Sequence, residues 1–474
     1  MTSGRCASGR VGRLHMTNTN RARWALAVGA ALLIVTAAAA PAAAPDDEGW
    51  QGTAEQKIWG LMQVWGTVKY NFAFFDRLPG LDWDAAVRGA IPRVLSAPDQ
   101  EEYYRRLGEL TALLHDGHTL VVSPSFREGA YDSPPLEFQV VEDRIVLARA
   151  GDTEEIRAQA VRPGMELVAV GEGVPARQWL QENALRYYPG STRQNGEAFG
   201  MFLFLRGPKN TPVKLTLADA TGVERTVTVT RNSQNRDGTV FRLRIRDFSS
   251  LIESKTIDGG IVYLRVGTFD DEQVVEDVND ELNRLDLGQL RGMILDLRYN
   301  IGGDDQFAYP IVSRLVDRPV LGAKWTTPEY HPAYFSWGQA ETPLQGDTVR
   351  IEPAAATRYS GPLVILTGPN TMSTAEDFIV PLDFSGRALI LGEPTAGTTG
   401  NPVNVGLPGG AILRVCSLWS TYPDGREFVG RGIDPDVVVH PTVAGLRANR
   451  DEVLEKAVEV LGNWSAYRAL KPTK

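Results

Sequence analysis

The hydrophobic pattern changes character twice along the chain. Up to about residue 118, apolar residues recur at the i, i+3, i+4, i+7 spacing of an amphipathic helix. This spacing is found at Ile58, Leu61, Met62 and Trp65, and again at Leu107, Leu110 and Leu114. Turn dipeptides such as Pro-Gly at 79–80 interrupt the segment. The pattern therefore predicts a small helical cap over residues 53–125.

From residue 135 to residue 232 the pattern shortens to runs of strand length. Examples are the runs at 144–147 and 213–217, where apolar residues alternate with polar ones over a few positions. Glycine and proline separate the runs, as they do between the strands of small β domains. The pattern predicts a small β domain that follows the cap.

Continuous apolar runs with the length of buried strands mark the region from 240 to 445. They lie at 261–264, 293–295, 363–366 and 388–391. Between the first two runs, apolar residues keep helical spacing at Val274, Val278, Leu282 and Leu285. Strands that alternate with helices predict an α/β layer with a mixed sheet. A C-terminal helix and tail follow over 446–474.

The first 44 residues have the composition of an export signal. Arg21 and Arg23 precede an apolar stretch over 24–35, and an alanine-rich run with several Ala-x-Ala cleavage options follows it. Met16 is an alternative start. The stretch is shorter than the about 20 residues that a spanning helix needs, so an uncleaved anchor is the second interpretation. We expect a signal peptide over 1–44 and a periplasmic or secreted protein that meets the membrane only during export.

Composition and charge exclude several function classes. The chain has 49 basic and 58 acidic residues, a net charge of -9, and this balance argues against a nucleic-acid partner. It has no phosphate-binding glycine motif, so no nucleotide and no cofactor are expected. Cys6 belongs to the signal segment and leaves Cys416 alone, which excludes a disulfide framework and a cysteine-rich metal site.

Two apolar runs of the α/β region end in polar clusters. The first leads into DLRYNIGG at 296–303, whose glycines let backbone N–H groups approach a developing negative charge. The second leads into NTMSTAED at 370–377 and places Ser373 at a strand-to-helix junction. A serine that faces backbone donors is the minimum for acyl transfer. Ser373 and Glu376 also match a helix capping box, and the two interpretations are compatible.

The order of these segments, with GEPTAG at 392–397, resembles the tail-specific, or C-terminal processing, serine protease family. The segment RPGMELVAVG at 162–171 resembles a turn of PDZ domains. The resemblance implies an α+β multidomain fold with a helical N-terminal cap, a PDZ-like peptide-binding domain over 135–232 and a crotonase-like (ClpP/crotonase) catalytic core over 240–445. It also implies a polypeptide substrate.

The resemblance assigns roles to the motif residues. It makes Ser373 the nucleophile and gives the oxyanion hole to the backbone of Gly302, Gly303 and Thr374. A plain strand-ending turn would predict the same glycines. We expect Asp296 and Arg298 to pin their loop through a charge-assisted pair, and Glu376 to be structural rather than a base.

The general base does not follow the bacterial pattern of the family. Thr398 stands where the bacterial branch of the family has its lysine, and threonine cannot accept the proton. The tricorn-like branch uses a histidine at the end of the cap, a place that corresponds to His118. We expect an ordinary imidazole there, with a pKa of about 6.5. A zinc site from His115, Asp116 and His118 is the alternative, but it lacks a further ligand nearby, and we expect no metal.

Two positions depart from the tricorn-like pattern. Gly117 replaces a serine before the histidine, and Val429 replaces a glutamate near the end of the core. The carboxylate that orients His118 is therefore open between Asp116, Asp424 and Glu427. The sequence leaves two functions. One is an exported serine peptidase; the other is an inactive relative that binds peptides or apolar ligands.

Overall fold

The computed structural model describes residues 49–471 except 128, 248, 258, 340–342, 347 and 356–357. The signal segment predicted over 1–44 lies outside the described residues. Within the described ranges, no helix combines the length and the apolar character needed to cross a bilayer.

The described chain begins with a helical region. It comprises α1 (Ala54–Asn71), a 3₁₀ turn (Phe75–Arg77), α2 (Trp83–Leu95), α3 (Gln100–Ala112), β1 (Leu120–Val122) and α4 (Pro124–Arg127). The first three helices begin at Thr53, Asp82 and Asp99, whose side chains each accept a hydrogen bond from a first-turn N–H. These caps fix where the helices start.

The predicted apolar stripe of α1 is wrong in part. Ile58 and Met62 are 41% and 52% exposed, whereas Leu61, Val64 and Val68 are buried. The buried face also includes Lys57, whose ammonium donates to the carbonyls of Leu95 and Ala97. Counting apolar residues cannot find a polar residue on the buried face. The buried face predicted for α1 is therefore turned partly toward solvent.

The next region is a small β domain with a core of its own. Its elements are β2 (Tyr131–Asp132), β3 (Leu136–Val141), β4 (Arg144–Ala150), α5 (Glu154–Ala158), β5 (Glu166–Val170), β6 (Val174–Pro175), α6 (Ala176–Leu180), a π turn (Gln181–Leu185), α7 (Arg193–Leu203), β7 (Gly207–Pro208), β8 (Pro212–Ala218) and β9 (Glu224–Thr230). The sheet has the order β3-β4-β5-β8-β9 with antiparallel pairs. Buried Leu147, Leu215 and Val229 belong to its separate core.

The remaining region is an α/β layer. Its elements are a 3₁₀ turn (Arg244–Arg246), β10 (Ile252–Ile257), β11 (Ile261–Val266), α8 (Gln273–Arg284), β12 (Gly292–Asp296), α9 (Asp305–Ser313), β13 (Val320–Leu321), β14 (Lys324–Thr327), α10 (Pro332–Ser336), β15 (Leu344–Gln345), β16 (Arg350–Ile351), β17 (Leu363–Thr367), α11 (Thr374–Phe384), β18 (Leu389–Gly392), β19 (Pro402–Gly406), β20 (Ile412–Cys416), β21 (Trp419–Thr421), β22 (Val437–Val438), α12 (Val443–Arg447), α13 (Glu452–Gly462) and α14 (Trp464–Arg468).

The main sheet is mixed, as the sequence predicts. Its order is β10-β11-β12-β17-β18-β22, and β10 is antiparallel to β11 while the other pairs are parallel. The four apolar runs are confirmed as strands β11, β12, β17 and β18. Each side of this sheet is covered, which explains why the runs are continuously apolar.

The helical region and the main sheet share one core. Leu61 and Leu107 of the helices belong to the same buried cluster as Leu264 of β11 and Phe378 of α11. The opposite face of the sheet packs against α13. In addition, β1 pairs with β20, so that Leu120 lies opposite Arg414. This pairing places the end of the helical region close to the junction between β17 and α11.

Candidate active site

Ser373 lies between β17 and α11 in a conformation that serine rarely adopts. Its backbone has φ 58° and ψ −135°, a region that costs about 1–3 kcal/mol for a residue with a side chain. Two contacts hold it: the Ser373 N–H donates to the Thr398 carbonyl over 2.6 Å, and Gly302 leaves room beside it. A Cβ on Gly302 would lie 2.5 Å from the Ser373 Cβ.

The capping-box interpretation fails for the serine side chain. Ser373 occupies the N-cap position of α11, but its hydroxyl makes no capping hydrogen bond. Instead, Ser373 Oγ lies 3.1 Å from His118 Nε2. The unusual backbone turns the side chain away from the helix and toward the imidazole.

His118 is buried between α3 and β1, with 5% of its surface exposed. Burial, and to a lesser extent the positive charge of Arg414, lowers the pKa of His118 to about 3. The expected value of about 6.5 is therefore wrong for this environment. A neutral imidazole that carries its proton on Nδ1 can accept a proton from Ser373, because its Nε2 lone pair is then free.

None of the three candidate carboxylates accepts a hydrogen bond from His118 Nδ1. This nitrogen is buried and has no hydrogen-bond partner among the described residues. Glu427 lies against Arg77, with 3.5 Å between charged atoms, and Asp424 pairs with Arg426 over 3.0 Å. Glu427 thus contacts the helical region, and Asp424 contacts a close neighbour in sequence. Neither carboxylate reaches the imidazole.

Asp116 comes closer to the imidazole but is engaged elsewhere. One of its oxygens accepts from the Thr119 hydroxyl over 2.6 Å, and the other from the Ser191 hydroxyl over 3.2 Å. Burial raises the pKa of Asp116, while these hydroxyls and the backbone N–H groups of His118 and Thr119 oppose the shift. Asp116 therefore fixes the backbone of the histidine loop.

The Gly302–Gly303 turn faces the start of α11. A Cβ on Gly303 would lie 2.0 Å from the Phe269 backbone, so only glycine fits there. The Gly303 carbonyl accepts from the Thr374 hydroxyl over 2.9 Å. The Gly302 N–H donates to Asn300 Oδ1 over 2.9 Å. This bond removes Gly302 from the predicted oxyanion donors, because a side chain within its own loop already uses the N–H.

Asp296 and Arg298 form an ion pair at the base of this turn. Their charged atoms are 2.6 Å apart, and Arg298 also binds Asp451 over 2.7 Å. The Tyr263 hydroxyl donates to Asp296 over 2.9 Å. Asp451, which caps α13, was not indicated by the motif, because it lies 153 residues from Arg298.

Glu376 holds the loop that follows β18. Its buried carboxylate accepts from the Thr395 hydroxyl over 2.5 Å and from the N–H groups of Gly397 and Thr398 over 2.8 Å each. Burial raises the pKa of Glu376 to about 7. The same loop presents the Thr398 carbonyl to Ser373, so Glu376 positions Ser373 indirectly.

Thr398 fills the space beside the histidine loop. A Cβ on Gly117 would lie 2.7 Å from Thr398 Oγ1 and 2.9 Å from the Tyr188 hydroxyl. Thr398 is fully buried. Gly117, which departs from the tricorn-like pattern, and Thr398, which departs from the bacterial one, are therefore coupled, because a serine at 117 would collide with the threonine.

Residues 260–439 match the family model described as peptidase family S41. Over 400 residues the chain is 25% identical to a carboxyl-terminal-processing protease of Picosynechococcus sp., with 82% of this chain and 84% of the relative covered. Over residues 260–439 the chain is similar to peptidase family S41. It is a serine-type peptidase.

Two solved structures share the fold of this chain. Mature CPAF, in its complex with lactacystin, superposes with a TM-score of 0.68 and 17% identity and covers 88% of this chain and 99% of its own. The photosystem II D1 C-terminal processing protease gives a TM-score of 0.50 and 19% identity, with 86% and 97% covered. At these identities the likeness shows the fold alone.

Sequence reasoning missed two buried ionisable residues near Ser373 and His118. Arg414 on β20 is 4% exposed, and its charge acts on His118. Asp377 accepts from the Thr399 hydroxyl, and burial, followed by the charge of Asp305, raises the pKa of Asp377 well above its usual range. A signal for Arg414 existed, since a cation in the middle of an apolar strand is rarely buried without a role.

Proposed function

We propose that the protein is an exported serine endopeptidase that cuts unstructured or C-terminal polypeptide segments through an acyl-enzyme on Ser373. The observation that carries this proposal is the 3.1 Å contact between Ser373 Oγ and His118 Nε2. A second support is the strained backbone of Ser373, because such strain concentrates at functional sites. A protein that only binds peptides needs neither feature, and this alternative is not favoured.

In the proposed mechanism His118 Nε2 takes the hydroxyl proton while Ser373 Oγ attacks the substrate carbonyl. The oxyanion that forms lies against the N–H groups of Gly303 and Thr374. His118 then gives the proton to the leaving amine, and the acyl group stays on Ser373. Water, activated by the same imidazole, hydrolyses the ester. Asp116 supports these steps by fixing the loop of His118 rather than by binding Nδ1.

The small β domain is the proposed site of substrate capture. Strand β3 lies at the edge of its sheet and can pair with an extended peptide. A cavity of about 260 Å³ lies between β3 and α7, where Phe138, Val140 and Phe202 contribute apolar surface. The cavity also reaches Asn370, three residues before Ser373 in the nucleophile loop. A peptide bound there would enter the catalytic region directly.

The place of action is also part of the proposal. The basic pair Arg21 and Arg23, with the apolar stretch after it, supports export to the periplasm or the medium. N-terminal sequencing of the exported protein tests this step. A mature chain that begins between about residues 38 and 46 is expected, and an intact Met1 or Met16 would contradict export with cleavage.

The catalytic roles are tested with matched pairs of variants. Ser373→Ala and His118→Asn should each abolish peptide hydrolysis. Ser385→Ala, at the other end of the same helix, and His115→Asn, an exposed neighbour in the same loop, should keep it. A fluorophosphonate should label Ser373 alone. Hydrolysis that survives Ser373→Ala, or a label on another serine, would overturn the proposal.

A further inference from the structure

The imidazole of His118 lies close to two other side chains that can bind a metal ion. One carboxylate oxygen of Asp116, a ring nitrogen of His118 and the Cys416 sulfur all lie within 4.8 Å of one another. All three residues are buried, with exposures of 4%, 5% and 0%. Cys416 comes from β20, far from the other two in sequence, and the β1–β20 pairing brings it to them.

The free ring nitrogen points to a ligand. Nε2 of His118 contacts Ser373, whereas Nδ1 is buried without a hydrogen-bond partner among the described residues. A buried polar atom of this kind is costly unless something binds it. Thiolate, imidazole and carboxylate together are the donor set that zinc prefers.

We propose that Asp116, His118 and Cys416 form a zinc site that inhibits the peptidase reversibly. Tetrahedral bonds of about 2.0–2.3 Å place ligand atoms about 3.3–3.8 Å apart, so each donor must move by less than about 1 Å. On binding, zinc bonds to Nδ1, to the sulfur and to one oxygen of the Asp116 carboxylate. The thiol proton leaves to solvent, and the ring proton moves from Nδ1 to Nε2.

The charges around the site are compatible with this ion. Zinc contributes two positive charges, and the Cys416 thiolate and Asp116 carboxylate contribute two negative ones. The site is therefore neutral beside the buried cation of Arg414. Without the metal, burial raises the pKa of Cys416 well above its usual range, so the thiol keeps its proton.

Inhibition follows from the tautomer of the imidazole. A zinc ion on Nδ1 leaves the only remaining proton on Nε2, which then faces Ser373 as a donor. This ring cannot accept the hydroxyl proton, and acylation stops. The inhibition rests on the role proposed for His118, whereas the binding of zinc does not.

Binding is tested first, in a protein that cannot cleave peptides. Chelator-treated Ser373→Ala protein is titrated with Co²⁺, which substitutes for zinc and gives a near-ultraviolet charge-transfer band when a thiolate binds it. We expect this band, and we expect zinc to displace it. Cobalt that binds without the band, or no binding at all, would overturn the site.

The ligand variants test the location. Cys416→Ala should remove the band and weaken zinc binding by at least about 100-fold, since even groups that only support a ligand are worth about 10- to 100-fold. Cys416→Ser keeps the volume of the side chain and serves if the alanine variant does not fold. His115→Asn, with its histidine outside the cluster, should bind metal as the parent does. Unchanged zinc affinity in the folded Cys416→Ser variant would refute the proposal.

The effect on activity is measured last, as the ratio of peptidase rates with and without zinc for each variant. We expect zinc to suppress the parent and the His115→Asn variant and to spare the Cys416 variant, with recovery on addition of chelator. Equal suppression of parent and Cys416 variant would overturn inhibition at this site. If the parent has no peptidase activity under any condition, the proposed function fails, while the cobalt band still decides whether the metal site exists.

Discussion

At the scale of single residues, the site depends on two small side chains that make room for others. Gly302 lets the Ser373 Cβ approach, and Gly117 lets Thr398 and Tyr188 pack beneath the histidine loop. Neither glycine is required by a catalytic role. Each is required by a neighbour that would otherwise collide with a Cβ.

Replacement of Gly117 should therefore destabilise the folded protein. We expect Gly117→Ser to lower the free energy of unfolding by about 1–3 kcal/mol, the usual effect of adding atoms to a packed site. Thr398→Ala removes the atoms closest to the new Cβ and should restore part of the loss in the double variant. Urea denaturation measures both. Gly89→Ser is the control, since its Cβ would meet nothing within 4 Å; a Gly117→Ser protein as stable as this control would disprove the coupling.

The low pKa of His118 makes a second prediction at this scale. Because burial lowers the pKa of His118 to about 3, the imidazole stays neutral far below its usual pKa of about 6.5. In chelator-treated enzyme, kcat/KM should remain level across pH 6.5 and fall only at much lower pH. A drop centred near 6.5 would show that the imidazole titrates as an exposed one does.

At the scale of elements, the strands were predictable and the site contacts were not. Buried strands β11, β12, β17 and β18 are continuously apolar, and this pattern depends only on local sequence. The contact between Ser373 and His118 joins residues 255 positions apart, and only the family resemblance could suggest it. The Gly302 hydrogen bond and the free Nδ1 depend on atomic placement, which no spacing rule contains.

The loop after β18 provides a prediction for its carboxylate, Glu376. Burial raises the pKa of Glu376 to about 7, so the folded protein holds this proton more tightly than the unfolded chain, where the pKa is about 4.3. The stability that comes from this proton is complete below about pH 4.3 and is lost as the pH rises through about 7. The Glu376→Gln variant has no carboxyl at this position and does not titrate.

Thermal unfolding across this pH window provides the measurement. As pH rises from about 4.5 to 8, the melting temperature of Glu376→Gln should improve relative to that of the parent, because only the parent must ionise a buried carboxyl at position 376. A constant difference between the two proteins over the whole range would mean that Glu376 does not titrate in this window.

At the scale of the whole molecule, the small β domain touches two loops of the candidate site through the start of α7. The Ser191 hydroxyl accepts from the Gly117 N–H over 2.9 Å and donates to Asp116. The Thr192 hydroxyl donates to the Ala396 carbonyl over 2.9 Å, within the loop that Glu376 holds. The other face of α7 lines the cavity proposed for the peptide. One helix therefore connects the capture site with the loops that carry His118 and Ser373.

This arrangement predicts that a change just before α7 lowers turnover and that a change within α7 weakens peptide binding. Ser191→Ala leaves the buried Gly117 N–H without its acceptor, which costs about 1–3 kcal/mol locally, and the histidine loop should loosen. We expect kcat to fall about tenfold or more, with a small change in KM.

Ala198→Phe fills the cavity from the other face of the helix and should raise KM for peptides with kcat nearly unchanged. Steady-state kinetics with a peptide substrate measures both, and circular dichroism checks the fold. If Ser191→Ala changes KM alone, the contact serves substrate capture and does not position the histidine.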